Sequence, residues 1–169
     1  MQEIKLYNAH CCGEIGDVIV AGNINLKGKT VLEQSKFLFE DKQLRNFLLN
    51  EPRGGVFKHF NLLVPPKNEK AEAGFIIMEP EDNPPMSGSN SICVATVLLE
   101  KNIIEMKEPI TEFFLEAPGG MIPIKAFVKN KKVKFIEIHN LPSFVDQLDV
   151  NLKTPSFGDI IVSTVFGGD

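Results

Sequence analysis

At 169 residues, 43% of them apolar and 24% charged, the chain has the length and balance of one well-packed globular domain. Its net charge of -4, with no basic stripe, argues against nucleic-acid binding. No apolar run reaches spanning length, and Met1-Gln2-Glu3-Ile4-Lys5 lacks the shape of a signal peptide, so a cytoplasmic protein without a membrane segment is expected.

Residues 2–9 alternate as a strand, His10-Cys11-Cys12-Gly13-Glu14 reads as a turn, and Asp17–Gly22 as a second strand. Cys11, Cys12 and Cys93 make no disulfide framework. Neighbouring Cys11 and Cys12 cannot easily both face one tetrahedral ion, and no second ligand pair follows at finger spacing, so no metal site is expected. Thr30 opens a helical stretch with Val31, Leu32, Ser35, Leu38 and Phe39 at helical spacing, and a second helix follows around Gln43–Leu49. The turn Asn50-Glu51-Pro52-Arg53-Gly54-Gly55 is either a plain connection or a way to hold an arginine and a glutamate near a pocket. Two apolar strands, Val56–Val64 and Gly74–Glu79, flank a polar turn at Pro65–Glu72.

The next stretch organises the rest. Pro84-Pro85 stops what precedes, Ser87-Gly88-Ser89-Asn90 forms a turn, and about three turns of helix follow. Ser89, Asn90 and Ser91 are good caps, so the helix is expected to start at one of them. Ile92, Val94, Ala95, Val97, Leu98 and Leu99 surround it, which predicts a helix without a wet face. Its free amides, its dipole and Gly88 suit a carboxylate or phosphate, although the same residues also read as a simple cap feeding a core helix. A P-loop would need Gly-Lys-Ser/Thr and a nucleophile elbow Gly-x-Ser-x-Gly, and neither is present. A small carboxylate is the better guess. Cys93, on this helix, reads as packing.

From residue 110 the pattern is all strand: Ile110–Leu115, Met121–Val128 and Val133–His139, then a break at Leu141-Pro142-Ser143-Phe144 and a last strand at Ile160–Val165. Lys67–Lys70 and Lys129–Lys132 read as solvated turn tips, and His59 and His139 as structural histidines. The sum is an α+β domain, a mainly antiparallel sheet curled around the central buried helix. Phe166-Gly167-Gly168-Asp169 follows an apolar strand directly, so more protein is expected beyond it.

The motifs His10 to Glu14, Asn50 to Gly55, Pro85-Met86-Ser87-Gly88-Ser89-Asn90-Ser91-Ile92, Glu116-Ala117-Pro118-Gly119-Gly120, Leu141-Pro142-Ser143-Phe144 and Phe166-Gly167-Gly168 resemble, in order, those of the proline racemase family. That family includes 4-hydroxyproline 2-epimerases and trans-3-hydroxy-L-proline dehydratases. The resemblance implies a diaminopimelate-epimerase-like fold of two similar halves, with the site in the cleft between them. Residues 1–169 would be the N-terminal half, with the first strand of the second near 158–169. The C-terminal half of the same protein would then be the partner, and a homodimer is possible on this reading.

Where most of the family has Met-Cys-Gly-His, this chain has Met86-Ser87-Gly88-Ser89, which is similar to a serine branch with bifunctional trans-3-hydroxy-L-proline dehydratase and 2-epimerase activity. The resemblance places Ser87 as the catalytic residue, with Gly88, Ser89 and Asn90 binding substrate. It implies α-proton removal from proline or a hydroxyproline without a cofactor. A carboxylate-binding module without chemistry is the non-enzymatic alternative. An alcohol is a far weaker acid than a thiol, so Ser87 suits returning or relaying a proton, with the stronger base on the other half.

Overall fold

A computed structural model describes residues 3–22 and 24–167. Gln2, in the first expected strand, and Gly168 and Asp169, in the last motif, lie outside the described residues. In chain order the elements are β1 (Ile4–Tyr7), β2 (His10–Cys11), β3 (Glu14–Gly22), α1 (Val31–Phe39), α2 (Lys42–Leu49), β4 (Lys58–Val64) and β5 (Ala73–Met78). They continue with α3 (Gly88–Glu100), β6 (Ile110–Ala117), β7 (Gly120–Val128), β8 (Val133–Ile138), β9 (Phe144–Thr154) and β10 (Gly158–Phe166).

The main sheet runs β1-β3-β4-β5-β6-β7-β8, with β2 also paired to β3. Pairs β3/β4 and β5/β6 are parallel and the others antiparallel. Helix α3 packs on β2 and β3 toward one edge and on β8 at the other. A sheet whose opposite edges meet one helix is curled around it, as the sequence predicts.

Period-two alternation builds two cores from the same strands. Val18, Phe75, Ile77, Leu115, Ile122 and Ile124 turn inward onto Val94, Leu98 and Leu99 of α3. Ile19, Leu62, Ile76 and Met78 turn outward and are covered by Val31, Leu38, Leu48 and Leu49 of α1 and α2. Each such side chain, fully buried, contributes about 1.5–3 kcal/mol. The outer helices begin where their caps dictate: Thr30 Oγ1 accepts from Glu33 N at 3.0 Å, and Asp41 Oδ1 from Leu44 N at 3.0 Å.

Three expectations change. Helix α3 starts earlier than the three candidate caps allow, because Ser87 itself is the N-cap, with φ -146° and ψ 131°. Its circumference is not dry throughout, since Ile92, Thr96 and Glu100 form a half-exposed stripe at i, i+4, i+8. The segment after Ser143 holds a full strand, β9, that the sequence reading passed over. It pairs with β10 in a separate two-stranded sheet, where Phe144, Val145, Leu148, Phe157, Ile161 and Val165 are exposed. Leu148, Val150 and Leu152 alternate with polar residues as a strand requires, but Asp146, Asp149 and Asn151, of types depleted in strands, mask that signal.

The lysine-rich tip at 129–132 is a tight turn with reciprocal Lys129–Lys132 backbone bonds and positive φ at Asn130 and Lys131. Among the described residues no helix is long and apolar enough to cross a membrane.

Candidate active site

Two proline-led segments and a clamp fix the start of α3. Gly119 N, in the β6–β7 turn, donates to Pro85 O at 2.8 Å. A side chain at Gly119 would put its Cβ 2.6 Å from Leu141 Cδ1 and 3.1 Å from Pro85 O, so glycine lets the turn close without moving Leu141 or Pro85. On the other side, buried Arg45 of α2 reaches across to Asn83 Oδ1 and donates to Glu79 O at 2.7 Å. Asn83 Nδ2 donates in turn to Ser35 O of α1 at 3.2 Å. The outer helices thus tether the segment that delivers Ser87. Burial pulls the Arg45 pKa down, and Asp82 and Glu81 partly offset that.

Ser87, Gly88 and Ser89 are half-buried and open to a ligand, whereas Asn90 and Ser91 are buried. Ser91 N and Oγ both donate to Ser87 O, at 3.0 and 2.6 Å, which closes the first turn. The amides of Gly88 and Ser89 have no acceptor among the described residues, as expected for the first orphan donors of a helix. Beside them the Ser87 hydroxyl lies 3.2 Å from Ser89 Oγ. A hydroxyl next to two free amides at the positive end of a buried helix can hold a carboxylate and exchange a proton with an atom close to it.

Asn90 does not face that opening. Its side chain is 1% exposed and turns inward, with Oδ1 accepting from Asn61 Nδ2 at 2.8 Å and Nδ2 donating to Ser87 Oγ at 3.1 Å. The substrate contact expected of Asn90 is therefore unavailable to its side chain. Register explains its neighbours. Gly16 of β3 pairs with His59 of β4, and Asn61 with Ile77 of β5. Glu14, His59 and Glu79 then share the inner face of the sheet at its α3 end. His59 Nδ1 is 3.3 Å from Asn90 Nδ2 and 3.4 Å from both Glu14 Oε1 and Glu79 Oε1. The sequence reading marks neither Asn61 nor Glu79, carries Glu14 only as the end of a turn motif, and takes His59 as structural. The one available signal was a polar Asn61 inside the apolar run Phe60–Val64.

Among the remaining candidates, Cys93 is 1% exposed, and burial first, then Cys11, Glu14 and Asp17, pushes its thiol up to about 12. It packs. Cys11 is half-buried, its thiol also raised by burial and then by Cys12, and Cys12 is exposed. Among the described residues no three His, Cys, Asp or Glu groups converge as they would on a metal ion. Arg53, in the turn after α2, folds back on that helix, Nε donating to Phe47 O at 2.8 Å with the guanidinium 3.9 Å above the Phe47 ring. His10 and His139 are exposed.

A family model described as proline racemase matches residues 6–169. The chain is 40% identical to a hydroxyproline epimerase from Agrobacterium vitis solved with bound trans-4-hydroxy-L-proline, at TM-score 0.85, covering 98% of this chain and 49% of that one. It is 42% identical to a probable proline racemase from Agrobacterium radiobacter solved with bound carbonate, at TM-score 0.86, covering 98% and 50%. A phenazine biosynthesis protein of the PhzF family from Bacillus anthracis shares the fold at 13% identity and TM-score 0.52, covering 86% and 42%. The chain thus spans about half the length of these structures.

Proposed function

The chain belongs to the proline racemase family, and from that premise we propose that it forms one wall of a cofactor-independent site that moves the α-proton of a hydroxyproline. The observation that carries this reading is the Ser87 hydroxyl beside the unpartnered amides of Gly88 and Ser89. A second half of similar size supplies the opposite wall and the base, consistent with the half-length match to the Agrobacterium structures. Residues 1 to about 143 are the first half on this reading, and the β9–β10 hairpin, separate from the main sheet, opens the second.

The α-hydrogen of an amino acid is weakly acidic, so removing it requires stabilisation of the charge that develops on the carboxylate. Gly88 N and Ser89 N supply that stabilisation at the helix terminus. The base on the facing wall takes the proton, and Ser87 Oγ–H gives one to the opposite face of the ring, inverting the α-carbon. With a hydroxyl on the neighbouring carbon, the same carbanion expels it as water once that oxygen receives a proton. The unsaturated ring that remains isomerises to a pyrroline imine.

Serine in place of the family's usual cysteine favours trans-3-hydroxy-L-proline as substrate, with dehydration, 2-epimerisation or both. The second reading, a 4-hydroxyproline 2-epimerase, draws on the 40% identity to an epimerase solved with trans-4-hydroxy-L-proline. Incubating the protein carrying both halves with each hydroxyproline in D2O separates them. Imine from the 3-hydroxy substrate is expected. An α-deuterated 4-hydroxy epimer without imine would favour the second reading. No exchange from either substrate would leave only a carboxylate-binding module.

A further inference from the structure

A serine hydroxyl has one proton and two acceptor lone pairs, so its partners decide whether it gives or takes. At Ser87 both close nitrogen partners are donors from one residue: Asn90 Nδ2 at 3.1 Å and, at the long end, Asn90 N at 3.5 Å. With its acceptor side so occupied, the hydroxyl has its proton left to offer, toward Ser89 Oγ or toward the ligand.

The amide that sets this has polar partners on both of its sides. Its Oδ1 accepts from Asn61 Nδ2 at 2.8 Å between two fully buried side chains. Its Nδ2 faces Glu79 Oε1 at 3.5 Å and lies 3.3 Å from His59 Nδ1. Turning the amide over would set Asn90 Oδ1 against the Glu79 carboxylate and its NH2 against that of Asn61. Buried as it is, such a mismatch is costly. The Asn61 Oδ1 atom is itself buried without a partner among the described residues, so the bond to Asn90 is the one side-chain hydrogen bond that Asn61 makes among them.

We propose that Asn90, clamped by Asn61, is a positioning residue that holds the Ser87 hydroxyl as a proton donor toward the substrate. When Ser87 Oγ–H gives its proton to the α-carbon, the O–H electron pair stays on Oγ, and the two Asn90 N–H groups stabilise the alkoxide. Solvent then returns a proton to Oγ, and the base on the facing wall releases the one it took. This inference rests on the reading of Ser87 as a proton-transfer group.

Two substitutions in the protein carrying both halves test it. Asn90→Asp replaces the donor with an acceptor, so the Ser87 proton turns inward and kcat for 2-epimerisation falls by about a hundredfold, the loss typical of one oxyanion donor. KM stays within about twofold, because the Gly88 and Ser89 amides still hold the carboxylate. Asn61→Asp changes no atom touching Ser87 but offers Asn90 an acceptor that turns its amide over, and it produces the same split. Either variant folded with kcat within about twofold of the parent would overturn the proposal.

If neither variant folds, Ser87→Ala in the otherwise unchanged protein decides the matter. The Asn90 side-chain NH2 signals in a nitrogen–proton NMR spectrum must shift, and unchanged signals refute the bond. That readout is independent of turnover. An inactive parent protein would therefore sink the enzymatic reading while still testing the Asn90–Ser87 geometry.

Discussion

Replacing Gly16 with alanine adds one carbon where β3 and α3 touch. That Cβ would lie 2.7 Å from Asn90 Oδ1, 3.0 Å from Cys93 Sγ and 3.1 Å from Asn61 Nδ2, all inside ordinary contact distance. None of these atoms is at the end of a long side chain, so the helix must shift or the Asn61–Asn90 bond must break. Overpacking of this kind costs about 1–3 kcal/mol. A broken bond adds about 1–3 kcal/mol more for the buried groups left unpaired. Taking a middle value of about 3 kcal/mol, a domain of this size loses roughly 6–12 °C in Tm. Thermal unfolding followed by circular dichroism measures it, with urea titration as a check on the midpoint. In the protein carrying both halves, the same variant should also lose kcat, because Asn90 can no longer sit against Ser87. A melting temperature within about 2 °C of the parent would show that the strand and helix are not in the close contact described, and the account of the site floor would fail.

Other perturbations reach different parts of the argument. Ser87→Ala should abolish formation of the inverted, α-deuterated epimer in D2O while leaving substrate binding by the Gly88 and Ser89 amides, measured by calorimetry; retained inversion would remove Ser87 from the chemistry. Arg45→Leu strips Asn83 and the Glu79 carbonyl of their partner, and should cost about 2–4 kcal/mol in urea unfolding. The Cys93 thiol, held up to about 12 in the fold against an ordinary value of 9.0, stays protonated after the unfolded chain has ionised. Its contribution is intact below pH 9 and declines as pH rises from 9 toward 12, by about 1.4 kcal/mol per unit across that window. Cys93→Ala should flatten that decline, and iodoacetamide at pH 8 should label exposed Cys12 well before Cys93.

The β9–β10 hairpin and the head of α3 illustrate two ways in which local pattern misleads. A strand is recognised by alternation and by residue type, and over 148–153 the two disagree: Leu148, Val150 and Leu152 alternate with polar residues, while Asp149 and Asn151 are types that favour turns. A cap is recognised by residue type, and four cap-competent residues lie between Ser87 and Ser91. Nothing local ranks them. The choice falls to Ser87 because Gly119 grips Pro85, Ser91 reaches back to Ser87 O, and Asn90 is drawn into the core by Asn61.

Hydrophobic period alone is enough to predict a largely buried helix, a sheet curled around it and two further helices before it, because burial of apolar faces admits few other arrangements. The motif order is enough to identify the family and to direct attention to Ser87. The orientation of the Ser87 hydroxyl lay beyond reach of the sequence. It depends on an amide from α3, a second amide from β4 and a glycine gap in β3, residues separated by up to dozens of positions in the chain and joined only when the strands fall into register. Hydrogen-bond direction is a property of that assembled pocket, since each donor is oriented by the next group packed against it.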